Sequence, residues 1–227
     1  MKTYHLTTPI SADDIKDIRI GDIVYLTGTM VTCRDDGHRR VVKEGLEMPV
    51  DVKDKAILHA GPIIKYLPNN QYKMVAVGPT TSMRMEMFEE EFVHKTGVRL
   101  IIGKGSMGPG TARACKNDKA LQLVYPAGNA VYAAKHVEKI VDAKWTDLGM
   151  PETLWVCKVK DFGPLIVTID TNGDNFFDAK KAEFNRRKEE QIKKISEQVQ
   201  FIGSMIFGKD KMISYLYRFL LLVVPLI

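Results

Sequence analysis

An α/β body followed by a C-terminal helix is the fold this sequence predicts, and three observations carry that reading. Short apolar runs rich in β-branched residues recur between glycine-punctuated turns, stretches with helical spacing alternate with them, and one long charged segment lies near the end. The chain has 227 residues, of which 45% are hydrophobic, so a sizeable core can form. Its 27% of charged residues is ordinary for a folded chain and excludes a disordered polyelectrolyte.

The elements follow in order. Residues 22–31 (DIVYLTGTMV) predict a strand, and the charged segment 35–47 (DDGHRRVVKEGLE) has helical spacing. Residues 56–60 and 74–77 predict two more short strands. Ser82 is placed to N-cap the next helix, with Met83, Met87 and Phe88 on one face and the glutamates 89–91 partly solvated. Residues 98–102 (VRLII) predict a buried strand that ends in a glycine-rich loop. A strand is expected at 121–125 and a helix at 129–140, where Val131, Ala134 and Val137 share a face. Residues 154–160 and 165–170 predict a strand pair joined at Phe162-Gly163-Pro164, and 180–200 one long helix. No internal repeat or low-complexity linker interrupts the body.

Charge excludes some functions. The formal charge is +5, yet residues 1–178 carry 23 basic and 23 acidic side chains, so the whole excess lies in the last quarter. A nucleic-acid-binding domain spreads basic residues over one face of its fold, and this neutral body argues against such a partner. Cys33, Cys115 and Cys157 are odd in number and widely spaced, which fits free thiols in a reducing, cytoplasmic setting. The polar N-terminus, MKTYHLTTPISADD, has no apolar core and is not expected to be a secretory signal. The apolar stretch 219–227 extends to only 16 residues even when counted from Met212, less than the roughly 20 that cross a bilayer. It is expected to be a docking tail or a run-on from an altered reading frame, not an anchor.

Three loops carry candidate chemistry. Residues 103–111 (GKGSMGPGT) contain G-x-G-x-x-G after a strand, but the next strand ends in Val-Tyr-Pro without the acidic residue a dinucleotide ribose needs. Lys104 is followed by glycine, which excludes a Walker loop. Backbone N–H groups and the Lys104 ammonium converging on an anion is the functional reading, beside the plainer one of a turn. In Gly78-Pro79-Thr80-Thr81-Ser82-Met83-Arg84, a cation in the first helical turn opposes the helix dipole unless it faces an anion. The third loop, 32–40, brings Arg34 and the titratable imidazole of His38 to a strand end; His38 could move a proton near neutral pH, or simply face solvent. Arg34, Arg84 and Lys104 on three strand-end loops form a minimal grip for a small dicarboxylate. The segment 170–174 (DTNGD) mimics a calcium loop but has glycine at the wrong position and lysine at the twelfth. The cysteines lack the spacing of a zinc or iron–sulfur site, so no metal is expected on this chain itself.

Assembled, these segments resemble the L(+)-tartrate dehydratase beta subunit and the C-terminal domain of class I (iron–sulfur) fumarases. LTTPI, GDIVYLTGTMVTCRD, HAGPI, VGPTTSMRME, GKGSMGPGT, PAGNAV, WTDLGMPETLWVCKVKDFGPLIV and IDTNGDN carry the likeness over about residues 3–203. The long tryptophan-containing segment looks more like the tartrate type. The resemblance implies one swivelling β/β/α domain over 1–203, with 204–227 as an apolar tail outside the family pattern. It implies a hydro-lyase subunit that dehydrates L(+)-tartrate to oxaloacetate, or fumarate/malate as the in-class alternative. It also implies a [4Fe–4S] cluster held by a partner alpha subunit, in a hetero-oligomer such as α2β2, acting as a Lewis acid on the substrate hydroxyl. By the same resemblance Arg34, Thr80, Thr81, Arg84 and Lys104 contact substrate; His38 or Thr80, assisted by a group of the alpha subunit, is the expected proton-transfer residue. A non-catalytic dicarboxylate-binding module is the reading from another class, and a nucleotide-dependent oxidoreductase is disfavoured by the missing acid.

Overall fold

The computed structural model describes residues 1–69 and 71–207, with side chains only as far as 199. Contacts divide the chain into two units, Met1–Phe177 and Asp178–Ile227. The first is the α/β body. Its strands are β1 (Thr3–Thr7), β2 (Ile23–Thr32), β3 (Ala56–Leu58), β4 (Ile63–Leu67), β5 (Gln71–Ala76), β6 (Leu100–Gly103), β7 (Leu121–Val124), β8 (Val137–Lys144) and β9 (Leu154–Ile169). Its helices are α1 (Ala12–Ile15), α2 (Asp35–Val42), α3 (Glu86–Thr96), α4 (Pro109–Asn117) and α5 (Ala130–Lys135), and α6 (Phe176–Phe207) leads out of it.

The sheet order is β1-β2-β3-β6-β7-β9-β8, and β9 also pairs with β2. Strands β2, β3, β6 and β7 are parallel neighbours, whereas β9 runs antiparallel to both β7 and β2. Ile166 faces Val124 on one side and Ile23 on the other, so the sheet closes on itself there. The parallel strands are short, apolar and buried on both faces, as parallel strands are. One face packs Leu26, Met30, Leu58, Ile102, Leu123, Cys157 and Phe162 into a core that reaches the β4–β5 hairpin. The alternate residues Val31, Ile57, Ile101, Val156 and Ile169 pack with Phe92 and Val93 of α3 and with Ala114 and Cys115 of α4.

Three expectations need correcting. The helix expected to Ile140 stops at Lys135, and β8 begins at Val137, because residues 137–144 find a ladder along β9. The strand pair expected around Gly163 is one 16-residue strand, since β9 continues past a cis Gly163–Pro164 bond while staying paired with β2. On α3 the buried face is Met85, Glu89, Phe92 and Val93, while Met83 and Met87 are exposed. Strands β1, β4 and β8 and the helices α1 and α4 were not anticipated; β4 is mostly exposed, β8 is mostly half-buried or exposed, and both carry weak apolar alternation.

The second unit is described as the remainder of α6, where Lys180–Glu183, Arg187–Glu183 and Arg186–Glu190 form exposed helical ion pairs. The long charged helix expected at 180–200 lies within it. The expected apolar tail lies outside the described residues from 208 onward. Among the described residues no helix is long and apolar enough to cross a membrane.

Candidate functional site at the strand-end loops

The parallel strands deliver their C-terminal ends to one edge, and the loops that leave them are stitched together. The Thr80 N–H donates to the His59 carbonyl at 2.7 Å, and Pro79 bridges Ala60. Thr81 bridges Lys104, the Ser82 N–H donates to the Lys104 carbonyl at 3.0 Å, and the Lys104 N–H donates to Ser82 Oγ at 3.0 Å. The Tyr125 N–H donates to the Gly103 carbonyl at 2.9 Å. The Cys33 N–H donates to the Leu58 carbonyl at 3.0 Å, so the loops after β2, β3, β5, β6 and β7 share one rim.

Arg34, Thr80, Thr81, Arg84 and Lys104 all stand on those loops. Arg84 forms a two-pronged pair with Asp35, Nε to Oδ1 at 2.9 Å and Nη2 to Oδ2 at 2.5 Å. Burial alone would raise the Asp35 carboxyl, but the Arg84 guanidinium holds it below the usual range. Arg34 donates through Nε to Glu152, whose other oxygen accepts from the Asp36 N–H at 3.1 Å, and it lies 3.8 Å from Asp35. Gly61 makes room for Arg34, because a Cβ there would lie 2.7 Å from Nη1. Asp35 thus links the two arginines. Thr80 is partly buried and Thr81 exposed. Lys104 is partly buried and has no ion pair among the described residues.

The sequence reading of two loops changes here. Residues Ser82–Arg84 form a 3-10 turn, not the start of α3, and Ser82 turns inward instead of capping a helix. Arg84 pairs with Asp35, so a carboxylate of the chain itself already faces it. The glycine loop is likewise filled from inside. Glu86 accepts from the N–H groups of Gly108 (2.7 Å), Gly110 (2.8 Å) and Thr111 (3.3 Å), and from the Thr111 hydroxyl at 2.6 Å. A Cβ at Gly108 or Gly110 would meet Oε1 of Glu86 at 2.7 or 3.0 Å. Those backbone donors, expected to cradle a ligand, cap α4 with a side chain of this protein. Lys104 of that loop makes no ion pair among the described residues and stays available as an anion contact.

Behind the rim lies a group the sequence reading did not assemble. His38, considered as a solvent-facing or substrate-facing base, is fully buried, as are His59 and Glu89. Both Nε2 atoms approach the same carboxylate oxygen of Glu89, His38 at 3.3 Å and His59 at 3.4 Å. His38 Nδ1 lies 2.9 Å from the Arg34 carbonyl and 3.5 Å from Cys33 Sγ, and its ring stacks on Phe92 at 4.1 Å. His59 Nδ1 lies 3.1 Å from Ser82 Oγ. Burial opposes charge on both rings. For His38 the neighbouring Cys33 and the Glu89 carboxylate outweigh it and raise the pKa well above the ordinary value, whereas for His59 burial prevails and lowers it. Burial would raise Glu89, but the two imidazoles hold it down at about 2. One signal could have found Glu89: it falls at helical spacing with Met85, Phe92 and Val93, on the buried side of α3.

These two imidazoles and the carboxylate form the one His/Cys/Asp/Glu group whose donor atoms are close enough for a metal ion among the described residues. The thiols offer no cluster site. Cys33 follows β2, Cys115 lies in α4 and Cys157 in β9, and all three are free and buried. Burial pushes the Cys157 thiol up to about 12 and raises Cys115 as well.

Comparison with known proteins adds the lineage. A family described as "Fumarase C-terminus" matches residues 1–180. The L(+)-tartrate dehydratase subunit beta of Escherichia coli (strain K12) is 54% identical over 197 residues, covering 87% of this chain and 98% of that protein. The "Putative L(+)-tartrate dehydratase subunit beta" of Methanocaldococcus jannaschii is 35% identical over 190 residues, 82% of this chain and 95% of its own. The "Putative fumarate hydratase class I" of Geobacillus stearothermophilus is 34% identical over 170 residues, 75% of this chain but 32% of the longer relative.

Proposed function

The chain belongs to the fumarase C-terminus family, and on that premise we propose that it is the beta subunit of an L(+)-tartrate dehydratase, a hydro-lyase that converts L(+)-tartrate to oxaloacetate and water. The observation that carries this reading is the near end-to-end similarity to a bacterial subunit of that name, at 54% identity. The rim of strand-end loops supports it, because it gathers cations suited to a dicarboxylate on an otherwise neutral body.

In this reading Lys104 and the guanidiniums of Arg34 and Arg84 bind the two carboxylates, with Thr80 and Thr81 orienting the substrate between them. Removal of a proton from the carbon beside one carboxylate pushes charge onto that carboxylate, and the cations stabilise the charge as it develops. Hydroxide leaves the neighbouring carbon with its electron pair, and the enol so formed becomes oxaloacetate. Thr80 is the proton-transfer group at the rim; a threonine hydroxyl acts as a base only where a nearby cation stabilises its alkoxide, and Lys104, without an ion pair among the described residues, supplies it. His38, buried behind the rim, touches no substrate in this scheme.

The cysteines of this chain do not fit an iron–sulfur cluster. A [4Fe–4S] cluster and its Lewis acidity therefore belong to a partner alpha subunit, in a cytoplasmic hetero-oligomer such as α2β2. Free buried thiols suit that compartment. The test is anaerobic co-expression with a cluster-bearing subunit, followed by assays on L-tartrate, fumarate and malate. Oxaloacetate from L-tartrate is the expected result. Activity on fumarate and malate alone would move the chain to the class I fumarate hydratases, and activity on none of the three would refute the hydro-lyase reading.

A further inference from the structure

The buried histidines and Glu89 pose a proton-counting problem with one economical solution. A backbone carbonyl only accepts, so His38 Nδ1, 2.9 Å from the Arg34 carbonyl, must carry a proton. His38 Nε2 faces a Glu89 oxygen at 3.3 Å, where a bare nitrogen would set lone pair against carboxylate, so it carries one as well. Ser82 Oγ already accepts from the Lys104 N–H, and its own proton goes to His59 Nδ1, 3.1 Å away. His59 then has its remaining proton on Nε2, aimed at the same Glu89 oxygen 3.4 Å away. Three of the four buried atoms that otherwise lack a hydrogen-bond partner, His38 Nε2, His59 Nε2 and Glu89 Oε2, thereby acquire one. One imidazolium and one carboxylate leave the group neutral. A divalent metal ion in their midst would leave a net positive charge in a fully buried place, at a large desolvation cost.

The far end of this arrangement is the substrate rim. Ser82 holds the Lys104 N–H through its hydroxyl and the Lys104 carbonyl through its own N–H, while the His59 carbonyl holds the Thr80 N–H. Gly103 has no side chain where Ser82 Oγ sits, because a Cβ there would be 1.8 Å from it. We propose that Glu89, His59 and Ser82 are positioning residues that set Lys104 and Thr80 for the dehydration, acting as one hydrogen-bonded train from a buried carboxylate to the substrate edge. The catalytic part of this inference rests on the hydro-lyase reading above; the train itself does not.

Two measurements test it. In the reconstituted complex, Ser82→Ala and Glu89→Gln are each expected to lower kcat on L-tartrate by about tenfold or more, since ångström-scale misplacement of catalytic groups costs that much or more. The double variant is expected to be no slower than the worse single one, as members of one train are not additive. Wild-type kcat in Ser82→Ala, or fully multiplicative losses, would overturn the positioning role. The second readout needs no activity. Nitrogen-15 NMR of the full chain at neutral pH is expected to show His38 protonated on both nitrogens and His59 protonated on Nε2 alone. Elemental analysis is expected to find no bound zinc or iron in the chain. Bare Nε2 atoms with about one equivalent of bound metal would overturn the train and make the group a metal site. A wild-type complex that dehydrates none of the three acids refutes the hydro-lyase reading and the catalytic role together, while the NMR result still decides the train.

Discussion

Gly103→Ala is the substitution that most directly probes the seat under Lys104. The backbone of Gly103 is not left-handed, so alanine suits it locally and should gain about 0.5–1 kcal/mol over glycine in a strand. The obstacle is tertiary: the new Cβ would lie 1.8 Å from Ser82 Oγ, which must leave. Its departure breaks the bond from the Lys104 N–H (3.0 Å) and the contact with His59 Nδ1 (3.1 Å). Each lost bond costs about 0.5–1.5 kcal/mol net, and the buried imidazole nitrogen left without a partner costs about 1–3 kcal/mol. After the backbone gain the expected destabilisation is about 3 kcal/mol. In a Ser82→Ala background the clashing oxygen is absent, and the nearest remaining atoms, His59 Nδ1 and the residue-82 Cβ, lie at 3.2 Å. There the same change should cost about 1 kcal/mol or less, giving a coupling of about 2 kcal/mol. Urea unfolding of the full chain, followed by far-UV circular dichroism across the four variants, measures both quantities. An equal cost in the two backgrounds, or less than about 1 kcal/mol in the wild-type background, would refute the packing argument.

Other expectations follow from the same geometry. Glu86→Ala removes the acceptor for three backbone N–H groups and a hydroxyl at the start of α4, and should cost about 2 kcal/mol; hydrogen exchange at Gly110 should accelerate, and unchanged protection would show that the cap is dispensable. Glu89 is lowered from 4.5 to about 2, so its contribution is present above pH 4.5 and lost as pH falls toward 2. That shift is worth about 3 kcal/mol, and Glu89→Gln should flatten the acid limb of a stability–pH curve. His38, raised above 6.5, contributes fully below that pH and loses its contribution as pH climbs through its raised value; an alkaline decline unchanged in His38→Gln would assign it to another group. Lys104→Met and Arg84→Met should abolish turnover, yet leave the urea midpoint and subunit pairing nearly intact, because the Arg84–Asp35 pair is substantially exposed and worth at most about 1 kcal/mol. Loss of folding in either variant would instead give these residues a structural role.

Much of this protein was legible in its residues because the relevant signals are local. The alternation of apolar runs with glycine turns predicts β2, β3, β6 and β7 and the helices α2 and α3, since a strand's period and a turn's backbone demands act over a few residues. Arg34, Arg84 and Lys104 stand out because each follows a strand; Arg34 and Lys104 lie where the ends of the parallel strands β2 and β6 meet at one edge, and Arg84 on the loop that leaves the β4–β5 hairpin. Chemistry that depends on non-local neighbours was not legible. The glycines of 103–111 look like a ligand cradle in sequence, but Ser82 and Glu86, about twenty residues earlier, fill the space at Gly103, Gly108 and Gly110. Glu89 reads as one of three solvated glutamates until the phase of α3 turns it inward to meet two histidines from other elements. Glu152, which holds Arg34, lies 118 residues away from it. The sequence by itself determined the α/β class, the lineage and the cations of the rim. Only tertiary structure decided which of those charges are already partnered, which glycines serve packing and which histidines are withdrawn from solvent, because burial and pairing are properties of residues brought together by folding.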